Sequence, residues 1–331
     1  MAEPNGTEFV EGAEVPALPP DDRGSTVTVG TFDGLHRGHW AVLRATLDRA
    51  REAGRRAVLL TFDPHPLRVV RPDKAPLLLT TPSEKKELLA ASGLEYAVFI
   101  RFTEALSRYS PERFVREILV DRLDVRDLVV GHDHGFGRGR TGDTATLLEL
   151  GGRLGFDVEV LDPVEVEGGA VSSTRVREAL GQGRLEEVRL CLGRPYSFQG
   201  RVVRGEGRGA ELGFPTANLE VDREGEKLLP PEGIYAAWGV LRGRTVPGAL
   251  HLGPRPTFAG TPPAVEIHLM DFEGDLYGEW MRVDLVQRIR PVESFDSAQD
   301  LAERIRSDVE ESRRALEADP GRGVVRVLRR G

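Results

Sequence analysis

The sequence predicts an α/β protein with two domains: an N-terminal Rossmann-like parallel sheet, then a small antiparallel β-barrel with a C-terminal helix. The chain has 331 residues, which is long for one domain. From Ser25 to about Leu192, strand-like runs alternate with helical patterns, as in a parallel sheet covered by helices. From Tyr196 to Arg290, short strand-like runs separated by Gly and Pro clusters replace the helical period, which favours a barrel.

The elements of the N-terminal half are predicted from the alternation of strand-like runs with helical patterns. The predicted strands are "TVTVGTF", "AVLLTF", "EYAVFIRF", "VRDLVVGHD" and "FDVEVLDPVEV". The predicted helices are His39–Ala53, "SEKKELLAASG", "SPERFVREILVDRL", "DTATLLELGGRLG" and "SSTRVREALGQG". The last of these opens with serines suited to an N-cap and closes on glycine. Ligands of such sheets bind beyond the carboxyl ends of the strands, so the loops there are candidate sites.

The C-terminal half is predicted to contain the strands "SFQGRVVRG", "IYAAWGVLR", "AVEIHLMDF" and "GEWMRVDLVQRIR". A last helix, about Ser297 to Ala318, is expected to pack across them. We place the boundary near residues 184 to 195 and divide the chain into 1–24, 25–187 and 188–331. The first segment is acidic and Pro-rich and lacks the basic start and apolar core of a signal peptide, so we expect a loosely ordered, disordered leader.

Composition excludes several classes of protein. The net charge of −8 and the pI of about 5.6 argue against a protein that coats nucleic acid. One cysteine, Cys191, excludes an internal disulfide and a cysteine-built zinc site, and it fits a reducing cytoplasm. No run approaches the ~20 apolar residues of a membrane helix. We therefore expect a cytoplasmic protein with no nucleic-acid or membrane partner, as a monomer or weak homo-oligomer.

The turn "GTFDGLHRGHW" joins the first predicted strand to the first predicted helix. His36 and His39 are three residues apart, so they share one face at the start of that helix. A helix N-terminus attracts phosphate, and imidazoles can donate hydrogen bonds to phosphate oxygens. Gly34 and Gly38 would let the backbone come close. The alternative is a tight turn whose histidines only cap or pack.

Three more polar loops follow predicted strands. "STRVR" opens a helix with two hydroxyls and two arginines suited to phosphate, or with simple N-capping by Ser172 or Ser173. "VVGHDHGFGRGRTGD" is a flap over a ligand or a flexible connection, and "TFDPHP" ends another strand with Asp63 and His65. Because all four loops belong to the ligand-binding edge, they favour a nucleotide site.

A family resemblance enters with these motifs. "GTFDGLHRGHW" resembles the HxGH signature of the nucleotidyltransferase superfamily. Together with "TFDPHP", "VVGHDHGFG" and "VSSTRVRE", it resembles the adenylyltransferase module of bacterial bifunctional riboflavin kinase/FAD synthetases, over about Thr26 to Arg184. "RVVRGEGRGAELGFPTANL", "LGPRPTF", "VEIHLMDFEGDLYGEWMRVDL" and "IRPVESF" resemble the riboflavin kinase module of the same family. The resemblance implies that ATP phosphorylates riboflavin to FMN and then adenylylates FMN to FAD, releasing pyrophosphate.

For the adenylyltransferase, the resemblance implies catalytic roles for His36 and His39. The implied ATP-binding residues are Gly30, Phe32, Asp33, Gly34, His36, Gly38, His39, Ser173, Thr174 and Arg177. The implied FMN-binding residues are Asp63, His65, Asp133 and Phe136.

For the kinase, Thr216 and Asn218 alternate in the extended segment "GFPTANL", so both side chains face the same way. Their oxygens are hard ligands suited to Mg²⁺, which a bound nucleotide would complete. The resemblance implies that Glu266 takes the proton of the riboflavin 5′-hydroxyl and that Arg290 binds flavin. It implies ATP binding by Gly205, Gly207, Arg208, Gly209, Gly213, Pro215 and Thr216. The alternatives are a plain turn at "FPTAN" and a solvated strand face at Glu266.

The chain departs from the family pattern at three positions. Ala210 replaces an arginine, which puts the kinase phosphate contacts in question, although Arg208 is close enough in sequence to substitute. His134 stands where phenylalanine is common, and His251 where asparagine is usual. Two rival functions are a nucleotidyltransferase for another phosphorylated acceptor and a flavin- or nucleotide-binding regulator without catalysis. A nucleic-acid-binding barrel is a third, weakened by the lack of a basic face.

Overall fold

The computed structural model describes residues 6–12, 17–19, 21–205, 209, 212–221, 227–253 and 264–319. These residues form two compact units, one ending at Ser172 and the other beginning at Ser173. The first contains a six-stranded parallel sheet, and the second a closed six-stranded antiparallel barrel followed by a long helix. The predicted fold class is confirmed. The division between the units falls upstream of the 187/188 boundary that we expected.

The sheet of the first unit has the strand order β1-β4-β3-β2-β5-β6. Its central strands are buried on both faces, which explains their continuous apolar runs. The six strands are β1 Glu8–Gly12, β2 Ser25–Val29, β3 Arg56–Asp63, β4 Tyr96–Arg101, β5 Val125–Gly131 and β6 Asp157–Leu161.

Strand β1 lies within residues 1–24, for which we expected a disordered leader, and it differs from that expectation at Glu8–Gly12. These five residues pair in parallel with β4 as the edge strand of the sheet. The Phe9 ring lies 6.2 Å from the ring of Phe99, and Glu11 forms an ion pair with Lys86. Only Phe9 and Val10 carry the apolar signal, between two acidic residues, so a surrounding acidic composition concealed a short edge strand.

The helices of the first unit begin at side-chain N-caps. Thr81 and Glu84 form a capping box, and Gly54 and Gly155 end their helices in the left-handed conformation. The helices are α1 Arg37–Ala53, α2 Pro66–Val70, α3 Pro82–Leu89, α4 Glu104–Ser107, α5 Pro111–Phe114, which continues as a π-helical segment Val115–Val120, and α6 Thr144–Leu154.

The run "FDVEVLDPVEV" was predicted as one strand and is two. Strand β6 ends at Leu161, and β7, Glu165–Val166, pairs instead with β8, Gly169–Ala170. Pro163 lies between them and has no N–H for a continuous ladder, which accounts for the break.

The barrel closes in the order β10-β13-β12-β11-β14-β9. Alternate residues such as Val265 and Ile267 fill its interior. Two of its strands, β10 and β12, were not predicted as strands; β12 contains Pro247 and opens on a charged residue, which weakened the strand pattern. The strands are β9 Tyr196–Val203, β10 Ala217–Val221, β11 Gly233–Leu241, β12 Arg244–Gly253, β13 Ala264–Leu269 and β14 Trp280–Arg290.

Three helices complete the second unit: α7 Ser173–Gly181, α8 Leu185–Leu192 and α9 Ala298–Glu317. Helix α8 packs against β9 and β14, which places the end of the predicted first domain with the barrel. Helix α9 begins at the N-cap Ser297, as predicted, and packs Leu316 against Ala236 and Trp238. Its Asp308 holds Arg290 through two hydrogen bonds of 2.7 and 2.6 Å.

Candidate active sites

The first site lies in the turn between β2 and α1. His36 is the N-cap of α1, and its Nδ1 accepts a hydrogen bond of 3.3 Å from the backbone N–H of His39. Gly34 has a φ of 84°, which favours glycine, and its N–H donates to Thr80 Oγ1 at 3.0 Å. The turn therefore brings the two predicted histidines together at a helix N-terminus.

The two histidine rings stack, with centroids 3.6 Å apart and an interplanar angle of 15°. A Cβ at Gly38 would come within 3.2 Å of the His36 ring, so glycine leaves room for this stack. The Nδ1 atom of His39 is shielded from solvent and has no hydrogen-bond partner among the described residues. A buried polar atom without a partner indicates a place where a ligand supplies one.

Burial and nearby charges determine the protonation state of these two rings. Burial lowers the pKa of His39 well below 6.5, and the charges of His36 and Lys85 lower it further. His39 is therefore neutral at pH 7. Because Nδ1 of His36 accepts a hydrogen bond, a neutral His36 carries its proton on Nε2. The site thus offers neutral N–H donors beside the positive end of the α1 dipole.

Asp33 is buried in this turn and holds the following loop. Its carboxylate accepts hydrogen bonds from the backbone N–H groups of Leu79 at 3.1 Å and Thr80 at 2.9 Å, and from the Thr80 hydroxyl at 3.1 Å. The backbone N–H of Gly30 donates to Leu60 O at 3.1 Å, and Phe32 is buried. These contacts are structural, and the predicted ATP contacts of these residues stay predictions.

A pocket adjoins the turn, and it contains a cation that sequence reasoning missed. Lys85, on α3, is buried and donates a hydrogen bond of 2.7 Å to Thr31 O. Lys85 precedes the buried Leu88 and Leu89 by three and four residues, the spacing of one helix face, and this signal was available in the sequence. The pocket is lined by Thr31, Asp33, Phe62, Asp63, His65, Leu78, Thr80, Pro82, Lys85 and Phe99.

Two residues predicted to bind FMN, Asp63 and His65, line this pocket. Asp63 is exposed at the end of β3, and His65 caps α2 by accepting from Leu67 N–H at 3.2 Å. Asp133 is exposed beyond β5. Phe136 instead lies in the core, with its ring 6.0 Å from that of Phe114, so the contact that the structure gives it is packing.

The remaining predicted ATP ligands of this reaction, Ser173, Thr174 and Arg177, open α7 in the second compact unit. The neighbouring Arg175 forms an ion pair of 2.9 Å with Glu187 of α8, which ties the two helices together. The roles of the three residues in ATP binding stay predictions.

The second site lies on the outer face of the barrel. Asn218 of β10 pairs directly with Glu266 of β13, so their side chains share one face. Glu266 lies between Val265 and Ile267, which point inward, and therefore points out. The Thr216 hydroxyl is 3.5 Å from Glu266 Oε2. The fold thus brings together the three side chains predicted for metal binding and proton transfer.

The glycines predicted for ATP binding lie close to these residues. A Cβ at Gly205 would come within 2.1 Å of Asn218 Nδ2, and one at Gly209 within 2.4 Å of Phe214 O and 3.3 Å of Thr216. Any side chain at these two positions would displace the site. Gly213 has a φ of 86° in the next turn, and Pro215 O lies 2.9 Å from His268 Nδ1. Gly207, Arg208 and Ala210 lie outside the described residues.

The row of paired residues continues past Glu266. His251 of β12 stands directly opposite Glu266. Burial lowers the pKa of His251 below 6.5, the Glu266 charge opposes this shift, and the charge of Arg290 adds to it. Arg290 is buried and held by Asp308, so its observed contact is with α9. Its role in flavin binding stays a prediction.

These two sites define a nucleotide-dependent transferase with two catalytic units. Residues 18–175 match the family model described as FAD synthetase, and residues 192–316 match that described as riboflavin kinase. Similar curated proteins are bifunctional riboflavin kinase/FMN adenylyltransferases. That of Escherichia coli (strain K12) is 37% identical over 86% of this chain and 90% of its own length. Those of Pseudomonas fluorescens and Bacillus subtilis (strain 168) are 37% and 32% identical, over 89% and 87% of this chain and 94% and 91% of their own lengths.

A crystal structure described as a macrolide-efflux protein from Streptococcus pneumoniae also resembles this chain, with a TM-score of 0.81 and 27% identity. It matches 92% of this chain, and 98% of its own chain is matched. No helix among the described residues is both long and apolar enough to cross a membrane.

The chain therefore belongs to the bifunctional riboflavin kinase/FMN adenylyltransferase family. Its C-terminal part phosphorylates riboflavin to FMN, and its N-terminal part adenylylates FMN to FAD, each with ATP. The resemblance inferred from the sequence motifs is confirmed, and the two rival functions are set aside.

Proposed function

We propose that His36 and His39, with Ser173, Thr174 and Arg177, bind the ATP phosphates during FAD formation. A phosphate oxygen of FMN attacks the α-phosphorus, and the bond to the bridging oxygen breaks as pyrophosphate leaves. This nucleophile is already anionic and needs no base, so catalysis consists of positioning and of stabilising the leaving group. The observation that carries the proposal is the buried Nδ1 of His39 at the N-terminus of α1, which has no hydrogen-bond partner in the part of the chain that the structure describes.

In the kinase unit, the nucleophile is the neutral 5′-hydroxyl of riboflavin, so a base helps. Glu266 takes the hydroxyl proton as that oxygen bonds to the γ-phosphorus and ADP leaves. Thr216 and Asn218 would hold Mg²⁺ together with nucleotide phosphates, because a hydroxyl and an amide oxygen are hard donors. Bound there, Mg²⁺ would neutralise charge on the transferring phosphoryl group. The support is the pairing of Asn218 with Glu266 and the 3.5 Å approach of Thr216.

A fragment that begins at Ser173 tests the assignment of one reaction to each part of the chain. It contains α7, α8 and the barrel, which form one compact unit. With riboflavin, ATP and Mg²⁺ it should make FMN and no FAD, whereas the full chain makes both, measured by chromatography of the products. FAD from the soluble, folded fragment would contradict the assignment. Omitting Mg²⁺ in the same assay tests the metal.

We also propose that the enzyme works in the cytoplasm on small-molecule substrates, as a monomer or weak homo-oligomer without nucleic acid. The sequence contains a single cysteine, Cys191, which suits a reducing compartment, and the net charge of −8 disfavours nucleic acid. Light scattering over a concentration series measures the oligomeric state.

A further inference from the structure

Lys85 is a buried cation with no role in the reaction as proposed above. Its ammonium has three N–H donors, and one hydrogen bond, to Thr31 O, is present among the described residues. It forms no ion pair within the part of the chain that the structure describes. A buried charge without an ionic partner is costly, so such groups are retained where a ligand completes them.

The nearby acids do not neutralise Lys85. Their charges act on it from a distance and raise its pKa, whereas burial, the larger cause, lowers it. Asp33 already accepts three hydrogen bonds from the Leu79–Thr80 loop, and Asp63 is exposed to solvent. The remaining donors of Lys85 are therefore available to an anion that enters the pocket.

The position of Lys85 limits which anion this is. The Lys85 charge acts on His39, so the ammonium is within electrostatic reach of the histidine pair. The pocket it lines is walled by apolar side chains as well, namely Phe62, Leu78, Pro82 and Phe99. A substrate that carries a phosphate and a flat apolar ring matches this combination.

We propose that Lys85 binds the phosphate monoester of FMN and positions the attacking oxygen, while the histidines act on ATP. This inference rests on the proposed assignment of His36 and His39 to the ATP phosphates. An ammonium beside a phosphate dianion both binds the acceptor and reduces its repulsion from the triphosphate. Lys85 is thus a substrate-binding residue of the adenylyl step and has no part in the kinase step.

The experiment uses the full chain and compares Lys85→Met, Lys85→Arg and Lys86→Met. Lys86 is the matched control, because it follows Lys85 on α3 but pairs with Glu11 at the surface. FAD formation is measured with FMN and ATP varied separately. In Lys85→Met we expect the KM for FMN to rise about 10- to 100-fold, the loss typical of one charged hydrogen bond. The KM for ATP and the conversion of riboflavin to FMN should stay near normal, Lys85→Arg should recover part of the affinity, and Lys86→Met should resemble the parent.

An unchanged KM for FMN would overturn the proposal, as would an equal rise in the KM for ATP. If instead the assignment of His36 and His39 to the ATP phosphates were wrong, variants of these histidines would show a changed KM for FMN. If Lys85→Met does not fold, the proposal is tested by the KM for FMN of the parent and of Lys85→Arg as a function of pH. Burial lowers the pKa of Lys85 below 10.5, with Asp33, Asp63 and His39 as the titratable groups around it. The parent should lose FMN affinity at alkaline pH and Lys85→Arg should not; identical alkaline limbs would also overturn the proposal.

Discussion

The site at the end of β2 and the site on the barrel both use ATP, but they are built from different chemical groups. The first consists of two stacked imidazoles, a helix N-terminus and a buried ammonium, all of which can donate hydrogen bonds. The second is a row of outward side chains in which a carboxylate, Glu266, stands between Asn218 and His251. One site thus presents donors, and the other presents an acceptor beside the hard oxygens of Thr216 and Asn218.

This difference follows from the two nucleophiles. FMN brings its own negative charge, so its site needs groups that tolerate and position anions. Riboflavin brings a neutral hydroxyl, so its site needs a group that accepts a proton. The comparison predicts that each substitution will affect one activity and leave the other, and the variants below test this separation.

The largest effect is expected for Glu266→Gln. The amide keeps the size of the side chain but cannot take a proton, so riboflavin phosphorylation should fall by about 10²–10⁴. FAD formation from supplied FMN should continue. Both rates are measured across a Mg²⁺ series beside a thermal melt, with the exposed Glu220→Gln on β10 as the control. Recovery at high Mg²⁺ would instead make Glu266 a metal ligand, and near-normal kinase turnover would exclude it as the base.

Asp308→Asn tests whether Arg290 serves structure or flavin. Both side chains are at most 8% exposed, and the substitution removes the buried ionic partner of the guanidinium, which then has only the more exposed Glu293, at 3.6 Å. Breaking such a pair costs about 3–5 kcal/mol, so the melting temperature of the barrel unit should fall. The exposed Glu310→Gln on the same helix should not change it. A normal melt with a raised KM for riboflavin would show that Arg290 acts on the flavin instead.

His36→Ala and His39→Ala should each lower FAD formation by about 10²–10³, the usual loss for one transition-state donor, with FMN formation near normal. His36 also caps α1, and removing a cap costs about 1 kcal/mol. His36→Asn keeps a capping acceptor and separates the two effects. Because the pKa of His39 lies well below 6.5, FAD formation should show no acid limb from His39 near that pH. Equal loss of both activities would indicate misfolding.

Sequence patterns predicted which residues lie together in each candidate site, because short motifs contain those residues. The spacing of His36 and His39, and the alternation of Thr216 and Asn218, place each pair on one face once the local element is known. The pairing of Asn218 and His251 with Glu266 could not be predicted, because register between distant strands depends on how the barrel closes.

The burial of individual side chains was the second feature that the sequence did not predict. Lys85 and Lys86 are neighbours of the same type, yet one lines a pocket and the other pairs with Glu11 at the surface. Phe136 stands in a loop motif but packs in the core. In both cases tertiary packing decided what the side chain contacts, and apart from the helical spacing of Lys85 from Leu88 and Leu89 the local sequence carried little information about it.

The smallest effect is expected for His251→Asn, which introduces the residue common in the family. Burial lowers the pKa of His251, so at pH 7 the imidazole is neutral and the amide is a close substitute. Kinase turnover at that pH should change by less than about tenfold, because the substitution alters no more than the free energy of about one hydrogen bond. At lower pH the kinase turnover of the parent should decline more steeply than that of the variant, because protonation of His251 places a positive charge directly opposite Glu266, the proposed proton acceptor.

The measurement is kcat/KM for riboflavin as a function of pH in both proteins. His268→Asn is the control, since His268 also lies on the outer barrel face but contacts Pro215 O and not Glu266. Identical acid limbs in the parent and His251→Asn would show that the two paired side chains do not interact. A steeper acid limb in the parent would show that His251, where the family usually has asparagine, narrows the pH range of the kinase reaction. The pH range of FAD formation should be the same in both proteins, because that reaction needs no base.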